Sequence, residues 1–287
     1  MPISEQSIKL QGKEFILVTT QRTEKISVYK GYNEFLRIGD RENIENNLHQ
    51  HKQMLGYGLP ISEIKEEGTI DNKAYYIESS LGEKHFGQLF SEDMKKAGRI
   101  SNEHFAQFIE ISRKFGESQL NTKIDRISLN SFPLGIHLDV VKFELEEYGD
   151  KIQEVFDRAT EKIEVFPAVM THGDFNPHNL YPKGAIDLES AFMGFAGYDL
   201  ITNIVHIGYF PDSTDYEFYK GYNFADEQKT QYLLEMDDLY IKNGLPRISE
   251  YLKEFEFFRA IWSVANMSRW PKLQQFRYDL FKRNYLT

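Results

Sequence analysis

The sequence contains no cysteine, which excludes disulfides and thiolate metal sites and suits the expected reducing, cytoplasmic setting. It has no apolar run of the roughly 18 or more residues that a helical membrane span needs, so no membrane association is expected. Its first residues, Met1-Pro2-Ile3-Ser4-Glu5, lack the basic start and apolar stretch of a secretory signal. A positive balance is also missing. With 34 Lys and Arg against 44 Asp and Glu, the net charge is -10, the wrong sign for the basic stripes that a general nucleic-acid binder uses. No internal repeat or low-complexity segment stands out.

What is present is ordinary globular material. Hydrophobic residues at 41% and charged residues at 27% predict a full core, and 287 residues exceed most single cores. Two lobes or one large domain are therefore expected. The first stretch reads as strands: Phe15-Ile16-Leu17-Val18, the alternating Ile26-Ser27-Val28-Tyr29, and Glu34-Phe35-Leu36-Arg37-Ile38, with Gly31-Tyr32-Asn33 as a turn. A helix is predicted over 41–57, with Asp40 as N-cap and Ile44, Leu48 and Leu55 at helical spacing. Two more strands, 61–65 and 74–78, follow around a turn at Gly68.

The polar stretch Ser79-Ser80-Leu81-Gly82-Glu83 reads as a connection, giving lobes of 1–80 and 81–287. From Phe86 onward the pattern is helical, with helices predicted over 105–117, 143–163, 198–207, 214–222, 226–243 and 248–270. A β-rich insert at 167–189 interrupts them. The fold class is thus α+β, a small antiparallel sheet with one helix plus a larger mainly helical lobe.

The insert carries the chemistry. Thr171-His172-Gly173-Asp174-Phe175-Asn176-Pro177-His178-Asn179-Leu180 comes after a short apolar strand, and a second segment ends in Ala185-Ile186-Asp187-Leu188-Glu189. Two adjacent loops then offer a carboxylate, a carboxamide and a second carboxylate. Phosphoryl transfer uses such a set: one carboxylate orients the attacking hydroxyl and takes its proton, while oxygen ligands hold Mg²⁺ against nucleotide phosphates.

His172-x-Asp174-x-x-x-x-Asn179, then Ile186-Asp187 and Tyr198-Asp199-Leu200, resembles the aminoglycoside phosphotransferase and choline kinase group of protein-kinase-like enzymes. The resemblance runs in order along nearly the whole chain and implies a two-lobed protein-kinase-like fold. It implies Asp174 as catalytic base, Asn179 and Asp187 as Mg²⁺ ligands, Asp199 as a buried brace for the catalytic loop, and His172 as a structural residue. On the N-terminal side it implies that Arg37, where lysine is commoner, touches the nucleotide phosphates, paired with a helix carboxylate at Glu45 or else Glu42. It further implies that residues 76–81, including Glu78 and Ser80, form the hinge that contacts the adenine edge. The phosphate-covering loop should lie at 21–25, which contains no glycine. Asp187 sits in Ile-Asp-Leu-Glu rather than Asp-Phe-Gly, and no Ala-Pro-Glu element comes after it, so the resemblance is to small-molecule kinases and not to protein kinases.

The expected reaction moves the γ-phosphoryl group of ATP or GTP to a hydroxyl of a small molecule such as an aminoglycoside or amino alcohol. The acceptor is expected to carry an amine, gripped by acids among Asp212, Asp215, Glu217, Asp226, Glu227, Glu235, Asp237 and Asp238. Three rival readings are a metal-dependent hydrolase using His172, Asp174 and Asp187, a non-catalytic nucleotide-binding scaffold, and a protein kinase, the last disfavoured by the short span between Asp187 and Tyr198. Phe255, Phe258, Trp262 and Trp270 are assigned to core packing, and His49, His51, His178 and His206 to surface or capping positions.

Overall fold

The computed structural model describes residues 6–20, 26–124, 126–265 and 270–287. The expected phosphate-covering loop, 21–25, lies outside the described residues. Two tight turns set the N-terminal sheet. Gln11-Gly12 (φ 49° and 79°) joins β1 (Ser7–Leu10) to β2 (Lys13–Thr20). Then come β3 (Ser27–Lys30), β4 (Glu34–Gly39) and helix α1 (Arg41–Gly56). Asp71-Asn72 (φ 48° and 67°) joins β5 (Ile64–Ile70) to β6 (Lys73–Ser79). Paired left-handed residues match the twist of a two-residue hairpin. The strands form one antiparallel sheet in the order β1-β2-β3-β4-β6-β5.

The sheet departs from expectation at three points. β1 adds a strand to the five predicted. The hairpin turns at Asp71-Asn72, not at Gly68, which lies inside β5 opposite Tyr75. A Cβ on Gly68 would stand 2.8 Å from the Tyr75 hydroxyl, so the glycine makes room for a cross-strand ring. Asp40 does occupy the N-cap position, but only its backbone oxygen caps the helix, accepting from Ile44 N at 3.1 Å.

Strand alternation divides the sheet. Leu36, Ile38, Tyr75 and Ile77 pack on one face with Ile8, Phe15 and Tyr29. Arg37, Tyr76 and Glu78 therefore belong to the other face, where α1 packs with Ile44 against Tyr76 and Ala74. This puts one buried arginine between sheet, helix and the second lobe.

The rest is mainly helical: α2 (Phe86–Ala97), α3 (Asn102–Leu120), α4 (Phe132–Gly135), α5 (Leu138–Glu144) and α6 (Gly149–Ile163). The expected insert comes next as β7 (Ala168–Thr171), β8 (Leu180–Tyr181), β9 (Gly184–Ala185) and β10 (Phe192–Phe195), in two short pairs, β7 with β10 and β8 with β9. Helices α7 (Tyr198–Val205), α8 (Asp226–Lys242), α9 (Leu252–Ala265) and α10 (Pro271–Phe281) complete the chain, with a π turn at Lys282–Leu286. Phe105, Phe108 and Tyr232 lie in one continuous core with Phe255 and Phe258. The insert is tied back to the first lobe by Ala185 N, which donates to Pro60 O at 2.8 Å.

The helix predicted over 143–163 breaks into α5, a 3-10 turn at Glu146–Tyr148 and α6. No helix forms over 214–222. There, side chains serve other backbone: Ser213 Oγ bonds Asp215, and Glu217 accepts from Lys272 N and Leu273 N at the start of α10. Such local bonds compete with helix formation, and an acid at a helix N-terminus is electrostatically favoured.

Candidate active site

β7 delivers His172 into the loop of residues 172–179, and a single buried carboxylate shapes the backbone of that loop. Asp199, on the first turn of α7, accepts from His172 N (2.6 Å), Gly173 N (3.1 Å) and Gln119 Nε2 (2.6 Å). Gly173 adopts φ 81°, and a Cβ there would lie 1.9 Å from Ser190 O, so no other residue fits. The His172 ring is buried beside Phe115 and Phe175, with Nε2 at 2.8 Å from Ile186 O. It is a strut between the two loops.

Asp174 emerges from this brace with its side chain 22% exposed. Its Oδ1 accepts from Arg259 Nη2 (2.8 Å) and Asn176 Nδ2 (3.0 Å), and its Oδ2 from Asn179 Nδ2 (3.0 Å). Asn179 Nδ2 also bonds Asp174 O at 3.0 Å. Both hydrogens of the Asn179 amide are thus used, and its carbonyl oxygen is the group left for a hard cation. Asp187 is held at φ 67° just before a 3-10 turn. Burial pushes its carboxyl above the usual range, and so does the nearby Asp174 carboxylate, while Arg37 pulls the other way. Two carboxylates that repel across a partly buried gap, with an amide oxygen beside them, make a donor set that fits Mg²⁺.

Arg37 approaches from β4. Its Nε donates to Glu78 Oε1 at 2.6 Å, and Glu78 also takes the Ser62 hydroxyl. His51 Nδ1 lies 3.7 Å from Glu78 Oε2, and the other ring nitrogen meets Ser62 O at 2.6 Å. Beside them Tyr76 donates to Asn47 of α1, closing a cavity of about 10 Å³, room for one water. Burial opposes the Arg37 charge, but Glu78 outweighs it and holds the guanidinium firmly protonated. Burial likewise opposes the Glu78 charge, and Arg37, His51 and Ser62 outweigh it, holding its carboxyl below the usual range.

The carboxylate partner of Arg37 is therefore Glu78, from the sheet. Glu45, expected in that role, is 63% exposed and faces Arg41 along the helix. Glu42 is exposed too. The helix turns Asn47 and His51 inward instead, so the partner comes from β6, on Arg37's own face of the sheet. Ser80 also differs from expectation: its N–H goes to Asn33 O (3.0 Å) and its hydroxyl to Gly82 O (3.0 Å), so neither donor is available to a nucleotide.

A stability test separates the two acids. Glu45→Ala should change stability by no more than about 0.5 kcal/mol, while Glu78→Ala, which leaves a buried guanidinium unpaired, should cost about 3–5 kcal/mol in urea unfolding. The pH dependence has a definite sign. A carboxyl depressed in the folded state contributes stability that is complete above its unfolded pKa of about 4.3 and is lost as pH falls through the lower folded value. Glu78→Gln should accordingly show a smaller loss of stability on acidification than wild type, measured as the fall in melting temperature below pH 5.

Arg259 is the site residue that sequence reasoning missed. It lies on α9, is 0% exposed, and besides Asp174 donates to His206 Nδ1 at 2.6 Å, with its guanidinium 4.1 Å from the Trp262 ring centroid. Burial and Arg259 hold His206 neutral, well below its ordinary pKa, so the ring can accept. A signal was present: an arginine within Phe255-Glu256-Phe257-Phe258-Arg259-Ala260-Ile261-Trp262 must be buried by helix periodicity, and a buried arginine implies a partner. His206 and His51 are both buried, against expectation, while His49 and His178 are not.

Most of the acids expected to grip an amine are engaged elsewhere. Asp237 caps Ser249, Glu235 and Asp238 pair with Arg113, Asp212 pairs with Lys220, and Glu217 caps α10. Among the described residues, the side chain that reaches Asp174 from the late helices is the Arg259 guanidinium.

No protein-family model and no curated protein sequence matches this chain. Solved structures do. A choline/ethanolamine kinase family protein from Mesorhizobium loti superposes with a TM-score of 0.58 at 15% identity, covering 99% of this chain and 88% of that one. A type VIII aminoglycoside-3'-phosphotransferase gives 0.51 at 16% identity, over 86% and 94% of the two chains. An aminoglycoside phosphotransferase from Streptomyces rimosus, in complex with ADP and streptomycin, gives 0.52 at 12% identity, over 86% and 92%. The chain has the two-lobed kinase-like α+β fold of these phosphotransferases.

Proposed function

We propose that the chain is a small-molecule kinase that transfers the γ-phosphoryl group of ATP or GTP to an acceptor hydroxyl, with a nucleotide lobe of residues 1–80 and a catalytic lobe of 81–287. The observation that carries this reading is the convergence of Asp174, Asn179 and Asp187 on one gap, into which Arg37 projects its charge from the opposite lobe. The kinase-like fold supports it. A nucleoside triphosphate donor fits a cytoplasmic setting.

In this reading the acceptor oxygen attacks the γ-phosphorus, the bond to the β–γ bridging oxygen breaks, the nucleoside diphosphate leaves, and the hydroxyl proton passes to Asp174. Arg259 and Asn176 fix Asp174 Oδ1, and Asn179 fixes Oδ2, so the carboxylate is pointed before the acceptor arrives. Arg37 supplies positive charge to the nucleotide phosphates, kept charged and in place by Glu78. Asn179 and Asp187 would hold Mg²⁺, which offsets phosphate charge when bound. The amine expected on the acceptor has little support, since most of the acids meant for it serve other partners.

The hydrolase alternative needs His172 as a ligand, but that ring is buried and tied to Ile186 O. Among the described residues no group of three or more His, Asp or Glu is placed to share a metal.

Calorimetric titration tests the nucleotide site. Mg-ATP or Mg-GTP should bind wild type, Asn179→Ala should bind more weakly, and Asp187→Ala should lose the Mg²⁺-dependent part of binding. Equal Mg²⁺-dependent affinity in Asp187→Ala and wild type would contradict the ligand assignment.

A further inference from the structure

Two arginines, not one, are buried next to the catalytic loop. Arg259 is 0% exposed and Arg277, on α10, is 1% exposed. They flank the turn after α7: Arg259 donates to His206 Nδ1 (2.6 Å), and Arg277 Nε donates to Tyr209 O (3.0 Å) with Nη1 on Ser263 O (2.7 Å). The Arg277 guanidinium lies 4.8 Å from the centroid of the half-buried Phe210 ring. Its remaining nitrogen, Nη2, is buried with no hydrogen-bond partner among the described residues.

The charges do not balance. Arg259 has Asp174 at 2.8 Å. Arg277 has no carboxylate of its own among the described residues: Asp174 is the acid that acts on it, already bonded to Arg259. His206 between them is neutral. Burial first, and Arg259 second, pull the Arg277 guanidinium down to about 9. Two backbone carbonyls explain Nε and Nη1 as a structural clamp, but they explain neither the idle Nη2 nor a surplus cation kept out of water. A buried cation without a counter-charge is costly, and a planar fork with a free edge matches a planar or tetrahedral oxyanion.

We propose that the acceptor is an anion, a small molecule bearing a hydroxyl and a carboxylate or phosphate group, whose acidic end pairs with Arg277 while Asp174 orients its hydroxyl. The inference rests on the kinase reading above and reverses the charge expected of the acceptor from the overall acidity of the chain. The transfer itself is unchanged: the acceptor hydroxyl oxygen bonds the γ-phosphorus, its proton goes to Asp174, and the nucleoside diphosphate departs.

The test uses the full chain with Mg-ATP and matched acceptor sets that differ only in one group: glycerate, glycerol 3-phosphate, glycerol and serinol, with the corresponding four-carbon and six-carbon sugar acids, sugar phosphates, polyols and amino polyols. Acceptor-dependent ADP release and thermal shifts are read together. An acid should outdo its neutral and amine counterparts by about 10- to 100-fold in apparent affinity, the worth of a charge-assisted hydrogen-bond pair. Whether carboxylates or phosphates lead tells the two sources apart. Arg277→Met should erase the preference, and Arg277→Lys should keep part of it; if Arg277→Met fails to fold, the wild-type comparison with Arg277→Lys decides. A preference for the neutral or amine member, no acid preference in any set, or an acid preference intact in Arg277→Met overturns the inference. Turnover of a neutral or amine acceptor that depends on Asp174 would leave the kinase reading standing, whereas ADP release indifferent to both acceptor and Asp174 would remove that reading as well.

Discussion

Asp174→Asn is expected to lower turnover by about two to four decades, the usual contribution of a positioned base, while leaving Mg-nucleotide affinity unchanged or slightly improved. The reason lies in how the carboxylate is held. Three side-chain donors fix its two oxygens and leave one edge toward solvent, where an acceptor hydroxyl must arrive. An asparagine can keep one oxygen for Arg259 and Asn176, but its amide then faces the amide of Asn179, donor against donor. It also removes the counter-charge of a fully buried guanidinium. Stability should therefore fall as well, by up to about 3 kcal/mol, so rates belong well below the melting temperature with the folded fraction checked by circular dichroism. Turnover within a few fold of wild type would mean that Asp174 is not the base.

The second large effect is at Arg259. Arg259→Met leaves Asp174 without its cation and His206 Nδ1 without its donor, and should cost about 3–5 kcal/mol in denaturant unfolding. Arg259→Lys keeps the charge, but an ammonium cannot match the planar fork that reaches Asp174, His206 and the Trp262 face together. That variant should stay folded and lose at least about tenfold in kcat with little change in KM for nucleotide, because Arg259 aims the base rather than binding the donor. A double-mutant cycle with Asp174→Asn should show strong coupling in stability: once one charge is gone, removing the other costs much less. Additive costs would mean that the pair is not a unit.

How far the sequence reached depended on whether the signal was local. The loop of residues 172–179 is a contiguous run with its polar residues at fixed spacing, and Asp174, Asn179 and Asp187 come together in space. The sheet with its single helix was legible from alternation and turn residues, apart from β1 and the exact hairpin turn, where Asp71-Asn72 outcompetes Gly68. Glu78 falls within the hinge that the sequence implies, but its pairing with Arg37 is not readable there, because it depends on register between β4 and β6 and on α1 turning Asn47 and His51 inward rather than a glutamate. Arg259 is separated from Asp174 by 85 residues, a distance that no local spacing bridges. The absent helix at 214–222 is a further case: its periodicity was adequate, but Glu217 and its neighbours bond to another segment, and tertiary contacts override propensity.

The central claim is acceptor-dependent phosphoryl transfer at Asp174, and phosphorus NMR of the full chain with Mg-ATP and the matched hydroxyl acceptors tests it most directly. The predicted result is a new phosphoester resonance that grows one for one with ADP, requires acceptor, and disappears in Asp174→Asn. Inorganic phosphate as the sole product, at equal rates in wild type and Asp174→Asn, would contradict it.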